Sequence, residues 1–369
     1  MITDAAGQTG AAAASGARGI AFVLGARGQI GRAAVRALAA DGWRVRAASL
    51  SGAGDPEWPR EVTPLAVDRE DDAALAAALG EGCDVLLDCV AYGAAHANQL
   101  VSLADRIGSA VVISSGAIYA DGRGRSFDTQ DEPDGFPELP VPVPESHRTV
   151  APGESSYATR KVALEQALLA AGDRLPSTLV RAGAVHGRHS RMPRELHFVQ
   201  RALDRRPVRV LAHRGESRFH PVHADNVAEL VRLAARAPGS RVLNAGDPQA
   251  PTVAEIARAV DAVLGVESEL VLVDGVPAAE RVGVTPWSAA HPVVYDMSAA
   301  ERELGYRPVI SYQEALATTV EWVAEKLAAE DWRTAFPGMV GPYALLFDYA
   351  AEDAWLAAGK PVAPRDGTP

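Results

Sequence analysis

The feature that most constrains the fold is a glycine-rich turn between the first apolar run and the first helical pattern. The run from Ile20 to Leu24 leads directly into Gly25, Gly28 and Gly31, and an alanine-rich amphipathic segment follows. Glycines at this spacing allow a tight turn, close backbone approach to a pyrophosphate, and close packing of helix on strand. The helix N-terminus adds free N–H groups and a positive dipole end. This arrangement predicts a dinucleotide-binding strand–turn–helix unit.

Beyond this turn, short apolar runs alternate with longer amphipathic segments, as is typical of βαβ units in a parallel sheet. From Thr252 onward helical patterns dominate, as expected of a smaller lobe beside the sheet. We therefore predict an α/β fold, with a Rossmann-type doubly wound parallel sheet and a smaller, mostly helical C-terminal substrate lobe. The predicted parts are a Rossmann domain at 19–183 to which 221–247 returns, a substrate lobe at 184–220 and 248–357, and disordered tails at 1–18 and 358–369.

Composition excludes several classes of function. The 369 residues are 48% hydrophobic and carry a net charge of −11, which opposes binding to nucleic acid or to an anionic membrane surface. The chain has no uninterrupted apolar run of membrane-spanning length, and its first residues lack the basic and leucine-rich regions of a signal peptide. We expect a cytoplasmic protein that acts on a small-molecule substrate, with Cys83 and Cys89 as buried, reduced thiols.

The end of the second strand bears on the choice of cofactor. An acidic residue there normally binds the adenosine ribose and disfavours a 2′-phosphate. Here the strand ends at Ser49 without a carboxylate, and Arg27 lies inside the glycine turn. A guanidinium at that place could bind a 2′-phosphate, although Arg27 could also simply point to water. The missing carboxylate and the position of Arg27 favour NADP over NAD. Asp68, which follows the third predicted strand, is expected either to bind the adenine amino group or to cap the next helix.

Two pairs of polar residues are candidates for catalysis. Tyr157 and Lys161 lie four residues apart and share one face of a predicted helix, so the ammonium is expected to lower the pKa of the phenol. Lys161 could also bind the nicotinamide ribose. Ser114 and Ser115 end a predicted strand at the carboxyl edge of the sheet, where a hydroxyl could bind a substrate carbonyl. The alternative is that both serines only end the strand.

Five motifs occur in the order found in the extended short-chain dehydrogenases/reductases, and the chain resembles their NAD-dependent epimerase/dehydratase group over about residues 19 to 325. A final Glu-Leu-Gly-Tyr-Arg-Pro stretch resembles the closing segment of that family. The motifs are Gly25-x-x-Gly28-x-x-Gly31, Ser114-Ser115-Gly-Ala-Ile-Tyr119, Tyr157-x-x-x-Lys161, Leu179-Val-Arg181-Ala-Gly-Ala-Val-His-Gly187 and Val222-His-Ala-Asp225-Asn-Val-Ala228.

The resemblance implies roles for individual residues. Tyr157 would be the acid/base, Lys161 would hold the ribose, and Ser115 would bind the reacting oxygen. The implied substrate contacts are Ser114, His186 and Arg218, the last at the place of a diphosphate-binding arginine. No metal site is expected. The predicted cofactor-binding residues are Gly25, Arg27, Gly28, Gln29, Ile30, Gly31, Ser49, Asp68, Arg69, Val90, Ala91, Tyr157, Lys161, Ala184 and Val185.

Three departures from the family pattern affect the expected reaction. Gly116 and Ala117 stand where sugar-nucleotide dehydratases have Asp-Glu, which disfavours dehydration. The segment 119–155 is longer than in the sugar epimerases and rich in proline, so we expect a substrate lid hinged at its glycines. The aromatic stretch 331–356 extends beyond the usual end and is expected to cover the substrate lobe or to form the contact of a homodimer.

The leading hypothesis is an NAD(P)-dependent oxidoreductase that transfers a hydride between the nicotinamide and a secondary alcohol or ketone. One alternative is a nucleotide-sugar epimerase with tightly held NAD. An alternative of another class is a non-catalytic regulator that senses NAD(P), which would need the glycine turn but no tyrosine acid.

Overall fold

A seven-stranded parallel sheet forms the centre of the computed structural model, which describes residues 18–276 and 282–359. The strands of the chain are β1 (Ile20–Leu24), β2 (Arg44–Ser49), β3 (Thr63–Ala66), β4 (Val85–Asp88), β5 (Ala110–Ser115), β6 (Ser177–Ala182), β7 (Ala184–His186), β8 (Val208–Leu211), β9 (Pro221–His223), β10 (Arg241–Ala245) and β11 (Glu269–Leu272). The main sheet has the order β10-β6-β5-β4-β1-β2-β3, whereas β11 pairs with β8 and β7 pairs with β9. The order reverses between β1 and β4, where doubly wound folds place their ligands.

Helices cover both faces of this sheet, and the predicted fold class is confirmed. They are α1 (Gln29–Ala40), α2 (Asp72–Leu79), α3 (Ala94–Ser102), α4 (Tyr157–Ala171), α5 (Leu196–Leu203), α6 (Ala224–Arg236), α7 (Val253–Leu264), α8 (Ser298–Leu304), α9 (Tyr312–Ala329), α10 (Trp332–Ala335), α11 (Val340–Tyr343) and α12 (Tyr349–Ala357). Helix α1 packs on α6 and helix α3 on α4, while α5, α7 and α9 pack together in the C-terminal lobe. Strand β10 lies beside β6, so residues 241–245 rejoin the main sheet. The exact domain boundaries stay predictions.

The segment 119–155, expected to be a substrate lid, is attached to the rest of the protein at more than its two ends. Its start is buried at Tyr119, and its middle is fastened to the C-terminal lobe at Val143. The Val143 amide donates to the Val294 carbonyl at 2.7 Å, and the Asp296 amide donates back to Val143 at 2.9 Å. The backbone of the segment is therefore fixed at Val143 as well as at its two ends, and a substrate lid hinged at its glycines stays a prediction.

The stretch 331–356 packs on the C-terminal lobe, and covering that lobe is one of its two expected roles. Trp332 stacks on Phe347 with 4.4 Å between ring centres, and Phe336 packs edge-on against Trp322 at 5.5 Å. The buried carboxylate of Glu352 pairs with arginines of the lobe. A homodimer stays a prediction. The predicted tails fall outside the described residues, apart from residues 18, 358 and 359.

Both cysteines are free thiols, with Cys83 buried and Cys89 half-buried. In the part of the chain that the structure describes, no helix is both long and apolar enough to cross a membrane.

A buried ion pair joins helix α4 to strand β6. Arg181 donates to both carboxylate oxygens of Glu165, from Nη2 at 2.6 Å and from Nε at 3.0 Å. The Ser114 hydroxyl donates to the same carboxylate at 2.6 Å. Since all three side chains are buried, the pair connects β5, β6 and α4 away from water.

We predict that Glu165→Gln lowers the free energy of unfolding by roughly 3–5 kcal/mol, because it leaves the Arg181 charge buried without its counter-ion. Urea unfolding measures the loss. The matched control is Glu301→Gln, which breaks an exposed pair with Arg307 and should cost less than about 1 kcal/mol. Equal losses in the two variants would contradict the role given to the buried pair.

Candidate active site

A pocket of about 210 Å³ lies at the carboxyl edge of the main sheet. It brings together the start of α1, the ends of β4 and β5, the start of α4 and the segment that follows β6. Three predicted catalytic residues, Ser115, Tyr157 and Lys161, share this pocket. Its lining consists of Ile30, Cys89, Ala91, Tyr92, Ile113, Ser114, Ser115, Tyr157, Lys161, Ala182, Gly183 and Val185.

The glycine turn has the features of a phosphate cradle. Gly25 has a left-handed φ of +76°, a backbone conformation that other residues rarely adopt. A Cβ at Gly31 would lie 2.2 Å from the Gly25 carbonyl oxygen, so this position has no room for a side chain. Helix α1 begins after Gly28 with no side-chain cap and no acidic residue in its first turn. Its first N–H groups therefore stay available for an anion.

The end of β2 offers a further polar group to a ligand. The Ser49 hydroxyl is buried and has no hydrogen-bond partner, although buried polar atoms are nearly always paired. This orphaned group lies where an adenosine ribose was expected. Arg27 is exposed beside it, and its guanidinium donates to the Ser51 hydroxyl at 3.2 Å. The residues present therefore fit a dinucleotide.

Other predicted cofactor residues have partners within the protein. The Gln29 amide donates to the Gly187 carbonyl at 2.9 Å. Arg69 is buried and donates to Asp88 at 2.7 Å. The Asp68 carboxylate accepts from the Glu70 amide at 3.0 Å. Asp68 does not cap helix α2, because Asp71 does so, and that alternative was wrong.

Helix α4 begins at Tyr157 because Ser156 and Thr159 form a capping box at its N-terminus. One turn later the Lys161 ammonium donates to two carbonyl oxygens, of Ala91 at 2.6 Å and of Ile113 at 2.8 Å. Burial lowers the pKa of Lys161 to about 8, and the negative charges nearby only partly oppose this. The two carbonyls place the ammonium on the floor of the pocket.

The phenol of Tyr157 differs from the expectation. Its ring centre lies 5.7 Å from the Lys161 ammonium, so the two groups are close as predicted. Partial burial nevertheless raises the pKa of Tyr157 above its usual value, and a hydrogen bond with Ser115 offsets only part of the rise. This holds although 45% of the tyrosine surface is exposed. The predicted lowering of this pKa is wrong, because desolvation of the phenol outweighs the hydrogen bond with Ser115.

The two serines at the end of β5 have different surroundings. The Ser115 hydroxyl accepts a hydrogen bond from the Ala117 amide at 3.1 Å and lines the pocket. The Ser114 hydroxyl is buried and donates to Glu165, so it is engaged in the ion-pair network, and Ser114 also lines the pocket.

Two further predicted substrate residues lie elsewhere. His186 is buried and bonded to Asp247, with 2.6 Å between Nε2 and Oδ2. Arg218 donates to the Ala250 carbonyl and lines a larger cavity of about 550 Å³ in the C-terminal lobe. Neither residue lines the 210 Å³ pocket. Among the described residues, no group of three or more His, Cys, Asp and Glu side chains is placed to hold a metal ion.

The sequence interpretation missed two aromatic residues. Tyr92 packs edge-on against Tyr157 with 5.9 Å between ring centres. Tyr295 is buried against the strand end, since a Cβ at Gly116 would lie 2.3 Å from its ring. Tyr92 directly follows the predicted Val90 and Ala91, which could have pointed to it. Nothing in the local pattern around Tyr295 signals its contact with Gly116.

The sequence model of the "NAD dependent epimerase/dehydratase family" matches residues 21–246. The chain belongs to this family. The predicted resemblance is confirmed, and the protein is an enzyme of the epimerase/dehydratase family. No curated protein matches it in sequence.

Solved structures share the fold at low sequence identity. UDP-glucose-4-epimerase from Stenotrophomonas maltophila, with bound NAD and formylated UDP-arabinopyranose, has 21% identity and a TM-score of 0.65, covering 85% of this chain and 100% of its own. UDP-glucose 4-epimerase from Thermotoga maritima, with UDP-glucose, has 20% identity and a TM-score of 0.63, covering 84% and 99%. dTDP-glucose 4,6-dehydratase from Streptomyces venezuelae, with bound NAD, has 22% identity and a TM-score of 0.61, covering 85% and 99%.

We predict that Gly28→Ala weakens NAD(P) binding and leaves the thermal stability of the protein nearly unchanged. A Cβ there would meet only the Gly25 carbonyl oxygen, at 3.2 Å, so the melting temperature should stay within about 2 °C of wild type. The methyl group would enter the open cradle and weaken NAD(P) binding about tenfold or more. Gly31→Ala should instead lower the melting temperature by about 4 °C or more, because its Cβ has no room. Fluorescence titration with NADPH and thermal unfolding measure both effects, and unchanged binding by Gly28→Ala would rule out the cradle.

Proposed function

We propose that this enzyme is an NAD(P)-dependent oxidoreductase that transfers a hydride between the nicotinamide and a secondary alcohol or ketone carbon of a small molecule. The observation that carries the proposal is the shared pocket. Ser115, Tyr157 and Lys161 line it together with Ile30 from the start of α1 and Val185 from β7. A proton donor, a second hydroxyl and a buried cation thus meet beside the proposed dinucleotide site.

Tyr157 exchanges the proton of the substrate oxygen. Its raised pKa keeps the phenol protonated near neutral pH, ready to donate to a ketone oxygen during reduction. The nicotinamide supplies or accepts the hydride when bound.

Ser115 and Lys161 position the reacting groups. The Ser115 oxygen accepts from the Ala117 amide, and its O–H, which is hydrogen-bonded to Tyr157, turns to donate to the substrate oxygen when a substrate binds. Lys161 uses two of its three N–H donors on the Ala91 and Ile113 carbonyls. The third remains for a ribose hydroxyl, and the fixed ammonium holds that sugar beside Tyr157.

The surroundings of Arg27 support a preference for NADP. The end of β2 offers the Ser49 and Ser51 hydroxyls and no carboxylate, so nothing there repels a 2′-phosphate. Arg27 already donates to Ser51 and is exposed, which lets its guanidinium turn to a phosphate with little loss.

A sugar-nucleotide epimerase is the second candidate. The 550 Å³ cavity of the C-terminal lobe offers Arg218, a cation that a bound diphosphate would require, and Arg214, which is paired with Glu216 and Asp274. An epimerase interconverts UDP-sugar epimers without net consumption of NADH, whereas the oxidoreductase consumes NAD(P)H with a ketone. Dehydration is disfavoured, because the Tyr295 ring occupies the space that a side chain at Gly116 would need.

We predict that Tyr157→Phe lowers kcat about 10²- to 10⁴-fold and changes cofactor affinity by no more than a few-fold, because only the proton donor is removed. The measurement is steady-state turnover of a ketone or nucleotide sugar found by thermal-shift screening with NADP(H) present. The matched control is Tyr92→Phe, which alters the neighbouring ring and should keep kcat within a few-fold. Unchanged turnover by Tyr157→Phe would refute the assignment of the acid.

Arg27→Ala tests the cofactor preference. If the guanidinium binds the 2′-phosphate, wild type should prefer NADP about ten- to a hundredfold, and the variant should lose that preference while binding NAD as before. Titration of both cofactors against both proteins measures the ratio. Tighter binding of NAD than of NADP by wild type would contradict the preference and leave the catalytic proposal intact.

A further inference from the structure

A separate cavity of about 370 Å³ lies on the outer side of the glycine turn, and we call it the basic cavity. It is formed where the turn, the segment after β7 and the C-terminal lobe meet. The residues that carry its charge and its apolar wall are Arg27, Arg32, His189, Arg191, Trp322 and Lys326.

The charge of the basic cavity is of one sign. No carboxylate belongs to its lining among the described residues, although the chain has 47 acidic and 36 basic side chains and a net charge of −11. Arg32 is paired with Asp55, and the Arg27 guanidinium donates to the Ser51 hydroxyl. Burial lowers the pKa of His189, whose Nε2 lies 3.2 Å from a carboxylate oxygen of Glu57, so this side chain adds little charge at neutral pH.

Two cations of the basic cavity have no partner in the described part of the chain. Neither Arg191 nor Lys326 makes a side-chain hydrogen bond or an ion pair there, and both are exposed to the cavity mouth. Lys326 is one of only three lysines in the chain. Unpaired like charges repel one another, so gathering them without counter-ions has a cost that an anion would remove.

The walls of the basic cavity are held by packing. Trp322 and Phe336 are buried and in edge-on contact behind it. A Cβ at Gly338 would lie 2.8 Å from the Arg191 carbonyl oxygen, so the stretch 331–356 is closely seated on the loop that carries Arg191. The cations are thus presented around a fixed concavity.

We propose that the basic cavity binds a phosphate-bearing small molecule, separately from the dinucleotide. A guanidinium and an ammonium facing one space are the groups that proteins use for phosphate oxygens. The site shares only Arg27 with the proposed cofactor contacts. One consequence rests on the proposed function: if Arg27 also binds the 2′-phosphate, an anion in the basic cavity weakens NADP more than NAD.

Calorimetric titration with inorganic pyrophosphate tests the site on the full chain, with and without saturating NAD. We expect one pyrophosphate per chain under both conditions, and about tenfold weaker binding by Lys326→Met and by Arg191→Gln. The matched control is Arg333→Gln, which removes an exposed cation outside the lining and should bind as wild type does.

Three results would overturn the proposal. They are no binding at millimolar pyrophosphate, equal binding by wild type and both cavity variants, and displacement by NAD, which would place the anion in the cofactor cradle. Because the first titration needs no cofactor, a protein that binds pyrophosphate in this way but no NAD(P) would refute the proposed function and retain the basic cavity.

Discussion

The buried pair between Glu165 and Arg181 holds the candidate site in register. It ties α4, which carries Tyr157 and Lys161, to the adjacent strand β6, and the Ser114 hydroxyl adds β5 to the same carboxylate. Arg181 also donates to the Tyr119 hydroxyl at 3.1 Å, which in turn donates to Asn244 on β10 at 2.7 Å. Separation of these charges in a dry interior is costly, so helix and strands keep one relative position.

The position of α4 relative to the strands determines which groups Lys161 contacts at the strand ends. With α4 fixed, the Lys161 ammonium donates to two backbone carbonyls. One belongs to Ala91, which follows β4, and the other to Ile113, which lies within β5. Backbone carbonyls are dipoles without net charge, so they orient the ammonium while burial lowers its pKa. The phenol above it remains protonated. A ready proton donor and an immobile cation are what carbonyl reduction beside a nicotinamide requires.

Much of the fold and part of the candidate site could be predicted from the sequence, because they depend on local patterns. The glycine turn, the alternation of strands and helices, and the helical spacing of Tyr157 and Lys161 depend on residues that are near one another in the chain. The use of Ser114 by Glu165, the pinning of Val143 and the contact of Tyr295 with Gly116 depend on residues far apart. The pKa of Tyr157 could not be predicted either, since spacing reports the neighbouring charge and tertiary packing sets the desolvation. The short strands β7 and β9 pair with each other although they are far apart in the chain, so their pairing also depends on the tertiary fold.

The proposed hydride transfer requires the nicotinamide to lie in the pocket of Ser115, Tyr157 and Lys161. The most direct measurement is a crystal structure of the chain with bound NADP⁺. We expect the pyrophosphate at the start of α1, the ribose within hydrogen-bond reach of Lys161, and the nicotinamide ring beside Tyr157. A complex that places the nicotinamide outside this pocket, while the dinucleotide is fully ordered, would refute the proposed hydride transfer.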